Sequence, residues 1–325
     1  MRRTHFRSTS PTLSRRRSLQ VAAALAATAA TGALFPQSTP AAEFDVKSHP
    51  LIDAHSHLWS PDVEKWPLAN DQTKADLAPP SFTPEELLKL AEPAKVGRAV
   101  LIQHHTYHGW DNRYLIDCAK RFPGRFVVTG MVDDTQPHPD KVLRELLPQG
   151  VRAIRITPRI RGDKWLEGEG MAAMWRCGAE TGQAMACLID AKDLAGVDAM
   201  CKKHPETPVV IDHFARIGVD GEIRKADVDA LCVLARHKRS ALKISAYYAL
   251  GKKKPPYDDL APMIRRVLDA FGPERCMWAS DSPYQLQGEH TYAASIALVR
   301  DRLDFLSAGD KQWLLAKTAE RIYFA

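Results

Sequence analysis

Leu51-Ile52-Asp53-Ala54-His55-Ser56-His57-Leu58 joins the pattern of a buried strand to two imidazoles. In an extended strand the side chains at i and i+2 share a face, so His55 and His57 aim together. If this strand lines a barrel and ends at its C-terminal rim, both rings project into the region where barrel enzymes assemble their chemistry. Neutral imidazole is a common ligand for a divalent metal. His-x-His by itself is a short pattern that also arises by chance, so its meaning rests on the chain that follows.

From residue 50 onward short apolar, β-branched runs alternate with amphipathic segments, the pattern of a parallel sheet covered by helices. Strands are expected over 51–55, 98–104, 126–132, 151–157, 184–190, 208–213, 241–246 and 275–281. Helices are expected between them, over 84–92, 111–121, 139–147, 171–181, 194–204, 226–237 and 256–270. Thr83 caps the first, with Glu86 three residues on. Two more helices, 291–303 and 308–322, follow the last strand. Pro123-Gly124 and Gly272-Pro273 mark helix-to-strand returns. Eight such units predict an α/β fold, a closed (β/α)8 TIM barrel in a single domain. No Gly-x-Gly-x-x-Gly follows any strand, which counts against an open dinucleotide-binding sheet.

Residues 1–42 stand apart from that pattern. Ser14-Arg15-Arg16-Arg17-Ser18-Leu19-Gln20 carries a twin-arginine pair, with Ser18 where a Phe is usual. An alanine-rich apolar run from Val21 to Leu34 and the small residues Thr39-Pro40-Ala41-Ala42 follow. This reads as a twin-arginine signal peptide, with 43–325 as the barrel and export to the periplasm or beyond as the expected destination. The apolar run is too short for a stable membrane span. The leader holds six arginines and no acid, so removing it takes the formal +6 to about zero. No basic stripe is left to suggest nucleic acid, and Lys252, Lys253 and Lys254 read as a solvated loop. Six scattered cysteines lack the close spacing of a disulfide framework. The expected partner is a small-molecule substrate; a homo-oligomer stays open.

Polar residues collect at the expected strand ends. Strand two runs into Gln103-His104-His105-Thr106-Tyr107-His108, where His104 can meet substrate or a second cation. On strand four Arg152 and Arg155 take opposite faces, and Arg155 or Arg159 can clamp a carboxylate. Strand six delivers His213, strand seven leads to Tyr247 and Tyr248, and strand eight ends on Asp281. Loops 59–80 and 162–170 are expected to cover the barrel mouth.

Asp53-Ala54-His55-Ser56-His57, Ile211-Asp212-His213, Lys243-Ile244-Ser245 and Ala279-Ser280-Asp281-Ser282-Pro283 together resemble the amidohydrolase superfamily. The likeness is to its amidohydrolase-2 branch of TIM-barrel hydrolases, lactonases and decarboxylases. It runs from about 50 to 324, and the segments around Gly109-Trp110-Asp111 and Gly150-Val151-Arg152 are similar to lactonase-like members. The resemblance implies that His55, His57 and Asp281 hold one divalent metal, zinc first among candidates. Asp281 would also serve as catalytic base, with His213 as an electrophile or further ligand. His104, Arg155, Arg159 and Tyr247 would bind substrate.

One departure from the family pattern stands out. Metal-dependent members commonly offer a histidine at the end of strand five, where this chain reads Ala186-Cys187-Leu188-Ile189-Asp190. Asp190 can substitute as an oxygen ligand, or the site can work without metal, the imidazoles polarising a carbonyl while Asp281 activates water. The implied activity is a hydrolase opening a lactone or cleaving an ester or amide of a small organic or sugar acid. A metal-dependent decarboxylase on the same barrel and a non-catalytic exported binding protein are the alternatives.

Overall fold

The structure, a computed structural model, describes residues 47–325, so the signal-peptide reading of 1–42 lies outside the described residues. Eight parallel strands form one sheet in chain order, β1 (Leu51–Ser56), β2 (Val96–Ile102), β3 (Phe126–Gly130), β4 (Val151–Ile156), β5 (Ala184–Cys187), β6 (Val209–Ile211), β7 (Ser240–Ile244) and β8 (Cys276–Trp278). Closure is made just past β8, where Asp281 N donates to His55 O at 2.9 Å and His57 N to Ser282 O at 2.8 Å. The expected (β/α)8 barrel is present.

The outer layer is α1 (Pro84–Ala91), α3 (Arg113–Arg121), α4 (Pro139–Leu146), α6 (Glu169–Thr181), α7 (Leu194–Lys203), α8 (Lys225–Val233), α9 (Ala261–Phe271), α10 (Tyr292–Ala297) and α11 (Ala308–Gln312). Single turns α2 (His105–His108) and α5 (Pro158–Arg161) sit in the loops after β2 and β4. Thr83 caps α1 as expected, its backbone N–H donating to Glu86 Oε2 at 2.6 Å while Glu86 N–H returns to Thr83 Oγ1. Among the described residues no helix is long and apolar enough to cross a membrane. All six cysteines are buried and unpaired.

Two cores follow from strand alternation. Outward-facing residues such as Leu101, Ile154, Ile211 and Trp278 pack against the helices. The lumen holds Ile52, Val100, Ile102, Val127, Val210 and Met277 with six alanines, Ala54, Ala153, Ala184, Ala186, Ala241 and Ala279. Barrel lumens of this size are usually filled by bulky branched side chains. Here Ala319 and Tyr323, from the segment after α11, complete the packing.

Strands β6, β7 and β8 stop earlier than the sequence pattern suggests. The ladder on β6 ends at Ile211, on β7 at Ile244 and on β8 at Trp278, so His213, Tyr248 and Asp281 belong to the loops beyond. Several residues there take left-handed backbone angles, with φ of 54° at His213, 58° at Ala246 and 59° at Asp281. A strand cannot continue through that region, and non-glycine residues occupy it only where the surroundings hold them.

Candidate active site

Strand β1 carries a bulge that decides which way its histidines point. Asp53 pairs with Ala99 and Ser56 with Leu101, so three steps on β1 match two on β2. Ile52 and Ala54 face the lumen, and strict alternation would turn His55 and His57 out toward the helices. One inserted residue reverses that phase. Asp53 Oδ1 accepts the His55 N–H at 3.1 Å, and the same carboxylate accepts Ser280 N–H at 2.8 Å, Ser280 Oγ–H at 2.5 Å and Tyr292 O–H at 3.1 Å. Burial pushes Asp53 up to about 6, and those hydrogen bonds pull against it. Asp53 thus ties the bulge to the strand that closes the barrel.

With the phase reversed, three side chains meet. His55 Nε2 lies 3.3 Å from His57 Nε2 and 3.4 Å from Asp281 Oδ1, and His57 Nε2 lies 3.5 Å from the same oxygen. His213 Nε2 approaches the other carboxylate oxygen at 3.8 Å, and ligand atoms of His55, His213 and Asp281 all fall within 4.8 Å of one another. Four residues expected from β1, β6 and β8 are therefore brought together.

The tautomer of His57 is fixed by what lies behind its ring. His57 Nδ1 stands 3.0 Å from Ile102 O; a carbonyl only accepts, so the proton is on Nδ1 and the Nε2 lone pair faces Asp281. Two acceptors 3.5 Å apart are stabilised by a donor or a cation placed between them. Donors about 2.1 Å from a tetrahedral zinc stand about 3.4 Å from each other, the edge length of the His55–His57–Asp281 triangle. Burial lowers the pKa of all three imidazoles, that of His57 to about 3 with Arg155 adding to the effect, which favours their neutral form. The residues fit a divalent cation.

Asp281 is itself pushed up by burial, with His213 and the Tyr248 hydroxyl pulling back. Tyr248 O–H donates to Asp281 Oδ2 at 2.7 Å. His213 Nδ1 is 2.7 Å from Ser245 Oγ. His213 opens a left-handed turn whose next three residues, Phe214, Ala215 and Arg216, also have φ between 51° and 53°. That turn places both His213 and Arg216 on the wall of one cavity of about 560 Å³.

Beneath the imidazoles lies a buried charge pair. Lys243 Nζ is 3.1 Å from Asp212 Oδ1 and 3.2 Å from His55 Nδ1, and neither Lys243 nor Asp212 is exposed. Burial lowers Lys243 while Asp212 raises it. Arg155 adds a second cation, 3.7 Å from Asp212 Oδ2 and 3.5 Å from His57 Nε2.

His104, Arg155 and Arg159 line the cavity as expected of substrate-binding residues. His104 Nε2 shares a 2.5 Å hydrogen bond with Tyr284 O–H, and burial lowers its pKa to about 2. Tyr247 does not line it. Tyr247 is fully buried and its hydroxyl donates to Ile244 O at 2.8 Å, because the turn at Ala246 sends Tyr247 into the core and Tyr248 into the site. Asp190 is likewise displaced as a ligand: β5 ends at Cys187, and the carboxylate pairs with Arg216 Nη1 at 2.6 Å. Loops 59–80 and 162–170 contribute nothing to the cavity wall, whose loop residues include 103–106, 159–160, Ala246, 248–250 and Tyr284. The 59–80 loop instead buttresses the histidine-rich turn, Asn70 Nδ2 donating to His105 O at 2.7 Å and Trp59 packing on His104 and Tyr107.

The amidohydrolase family model matches residues 52–325. An L-fucono-1,5-lactonase from Burkholderia ambifaria is 27% identical over 245 residues, 74% of this chain and 82% of that protein. A 4-sulfomuconolactone hydrolase from Rhizobium radiobacter is 27% identical over 234 residues, 71% and 75% of the two chains. Among solved structures, an amidohydrolase from Burkholderia multivorans with bound HEPES superposes with a TM-score of 0.72 at 21% identity, covering 84% of this chain and 99% of that one. Its zinc-bound crystal form gives 0.69 at 22% identity, covering 84% and 99%. With the barrel, the bulged first strand and the histidine–aspartate cluster in place, the chain belongs to the amidohydrolase family and is a hydrolytic enzyme.

Proposed function

We propose that the site hydrolyses the ester bond of a lactone, giving the ring-opened hydroxy acid. The observation that carries this reading is the meeting of Asp281 Oδ1 with His55 and His57 at 3.4 and 3.5 Å, beside a cavity lined by three arginines. Two lactone-opening relatives, at 27% identity, support it.

Tyr248 O–H engages Asp281 Oδ2, which leaves Oδ1 to accept the proton of an attacking water. Ser245 O–H donated to His213 Nδ1 leaves Nε2–H to stabilise the oxyanion that forms at the carbonyl. Asp281 then returns its proton to the leaving alkoxide as the ring opens, so water is added across the acyl–oxygen bond. His55, His57 and Asp281 would hold a divalent cation, zinc by the donor set. Such an ion, when bound, supplies a Lewis acid and lowers the pKa of water it binds to near 7. Arg155, Arg159 and Arg216 face the cavity and favour a substrate bearing an acidic substituent. An exported setting, from the twin-arginine leader read in 1–42, belongs to the same proposal; cell fractionation tests it, and retention in the cytoplasm counts against it.

The test is acid release, followed with a pH indicator, from L-fucono-1,5-lactone and 4-sulfomuconolactone as neutral and anionic probes, with metal content measured on the same protein. Ring opening, faster for the anionic probe and lost with a chelator, is expected. Carbon dioxide release from aromatic acids without lactone opening overturns the reading in favour of a decarboxylase.

A further inference from the structure

Tyr323 reaches the site from the opposite end of the barrel. It lies in the last helical segment, Glu320–Phe324, is fully buried, and packs among the lumen residues Ala54, Ala153, Ala184, Ala186 and Ala241. The alanines leave the lumen underfilled by the strands themselves, and the tyrosine ring takes that space. Lys243 Nζ stands over this ring, 5.6 Å from its centroid. That is the range in which an ammonium is attracted by the negative face of an aromatic ring, more strongly when both are dry. The same ammonium touches Asp212 and His55 Nδ1.

From these contacts we infer that Tyr323 is a positioning residue for the reaction. Its ring forms the floor on which the Lys243 ammonium rests, and through Lys243 it sets the placement of Asp212 and His55. Two further observations agree. Tyr323 O–H lacks a hydrogen-bond partner among the described residues, so the ring is held there by packing and not by its hydroxyl. Asp212 is close enough for its charge to raise the Tyr323 phenol further, beyond what burial does. Lys243 therefore has a carboxylate on one side and a ring on another, and is itself fully buried.

This inference rests on the lactonase reading only for its kinetic arm. In Tyr323→Phe the ring face stays, and kcat on L-fucono-1,5-lactone or 4-sulfomuconolactone should remain within about twofold of the parent. A series of mono-, di- and trifluorinated phenylalanines at 323 keeps the volume and progressively removes the negative face. Along that series kcat should fall in step, by about tenfold at the end, with KM unchanged. In a Lys243→Met background the series should be flat, since the ring then has no cation to hold. A second arm needs no substrate: the Lys243 ammonium, observed as a slowly exchanging 15Nζ resonance in the parent and in Tyr323→Phe, should lose its protection as fluorines are added. If neither probe is turned over, the lactonase reading fails and the resonance alone decides. An unchanged Lys243 resonance across the fluorinated series overturns the inference, as does a kcat that stays level along the same series.

Discussion

At the residue scale the chemistry depends on who donates to whom around Asp281. Tyr248 O–H donates to Asp281 Oδ2, and a hydrogen bond to the ionised form favours that form. Tyr248→Phe removes it, so the already raised Asp281 pKa rises further. The acid limb of kcat/KM, where the base is lost to protonation, should move to higher pH, with kcat down about tenfold; an unmoved limb places the base elsewhere. His55, His57, His213 and Asp281 were legible in the sequence because strand ends of a barrel converge wherever the chain has eight of them. Tyr247 departs from the expected position for a local reason: a left-handed residue at Ala246 swaps the two tyrosines, and nothing in the letters announces a non-glycine in that conformation. Lys243 did leave a signal, as a lysine between Leu242 and Ile244 in an otherwise apolar strand. Its role becomes visible only once Asp212 and His55 stand beside it.

At the scale of elements, the strands and helices were legible to within a few residues at most ends, because periodicity and caps are local. The missed features are breaks of regularity: the β1 bulge, the early end of β5 that withdraws Asp190, and the left-handed turn from His213 to Arg216. Each is set by tertiary hydrogen bonds and not by propensity. The helical layer has its own tests. Lys95 ends the turn after α1 with φ of 66° and is exposed. Lys95→Gly should relieve about 1 kcal/mol of left-handed strain and raise Tm by about 2 °C, measured by calorimetry; a lower Tm would deny that strain. On α7, burial pushes Asp198 up, but Lys202, His237 and Arg236 overcome this and hold it well below the usual carboxylate range. A depressed pKa adds stability above the unfolded value of 3.8 and loses it as pH falls through the folded one. Asp198→Asn should cost about 1 kcal/mol at pH 7 after allowing for solvent screening, and the two unfolding curves should converge in strong acid. A pH-independent difference would trace the effect to packing.

At the scale of the whole molecule, the barrel brings together groups that are far apart in the chain: β1 and β8 close on each other through His57 and Ser282, and that closure sets Asp281 against the two histidines. The six lumen alanines admit a ring from the far end, so the active site has a floor that no strand supplies. The fold class was readable from the count and spacing of strands alone. The lumen filling was not, since it depends on Tyr323, 45 positions beyond the end of β8 at Trp278.

The central claim is that Asp281 activates water for acyl transfer at this cluster. Its most direct test is single-turnover ring opening by Asp281→Asn, with lactone binding followed in parallel by the rise in Tm on adding substrate. The account predicts that the Tm rise persists while ring opening falls at least about a thousandfold. Ring opening at the parent rate by a folded Asp281→Asn protein would contradict it.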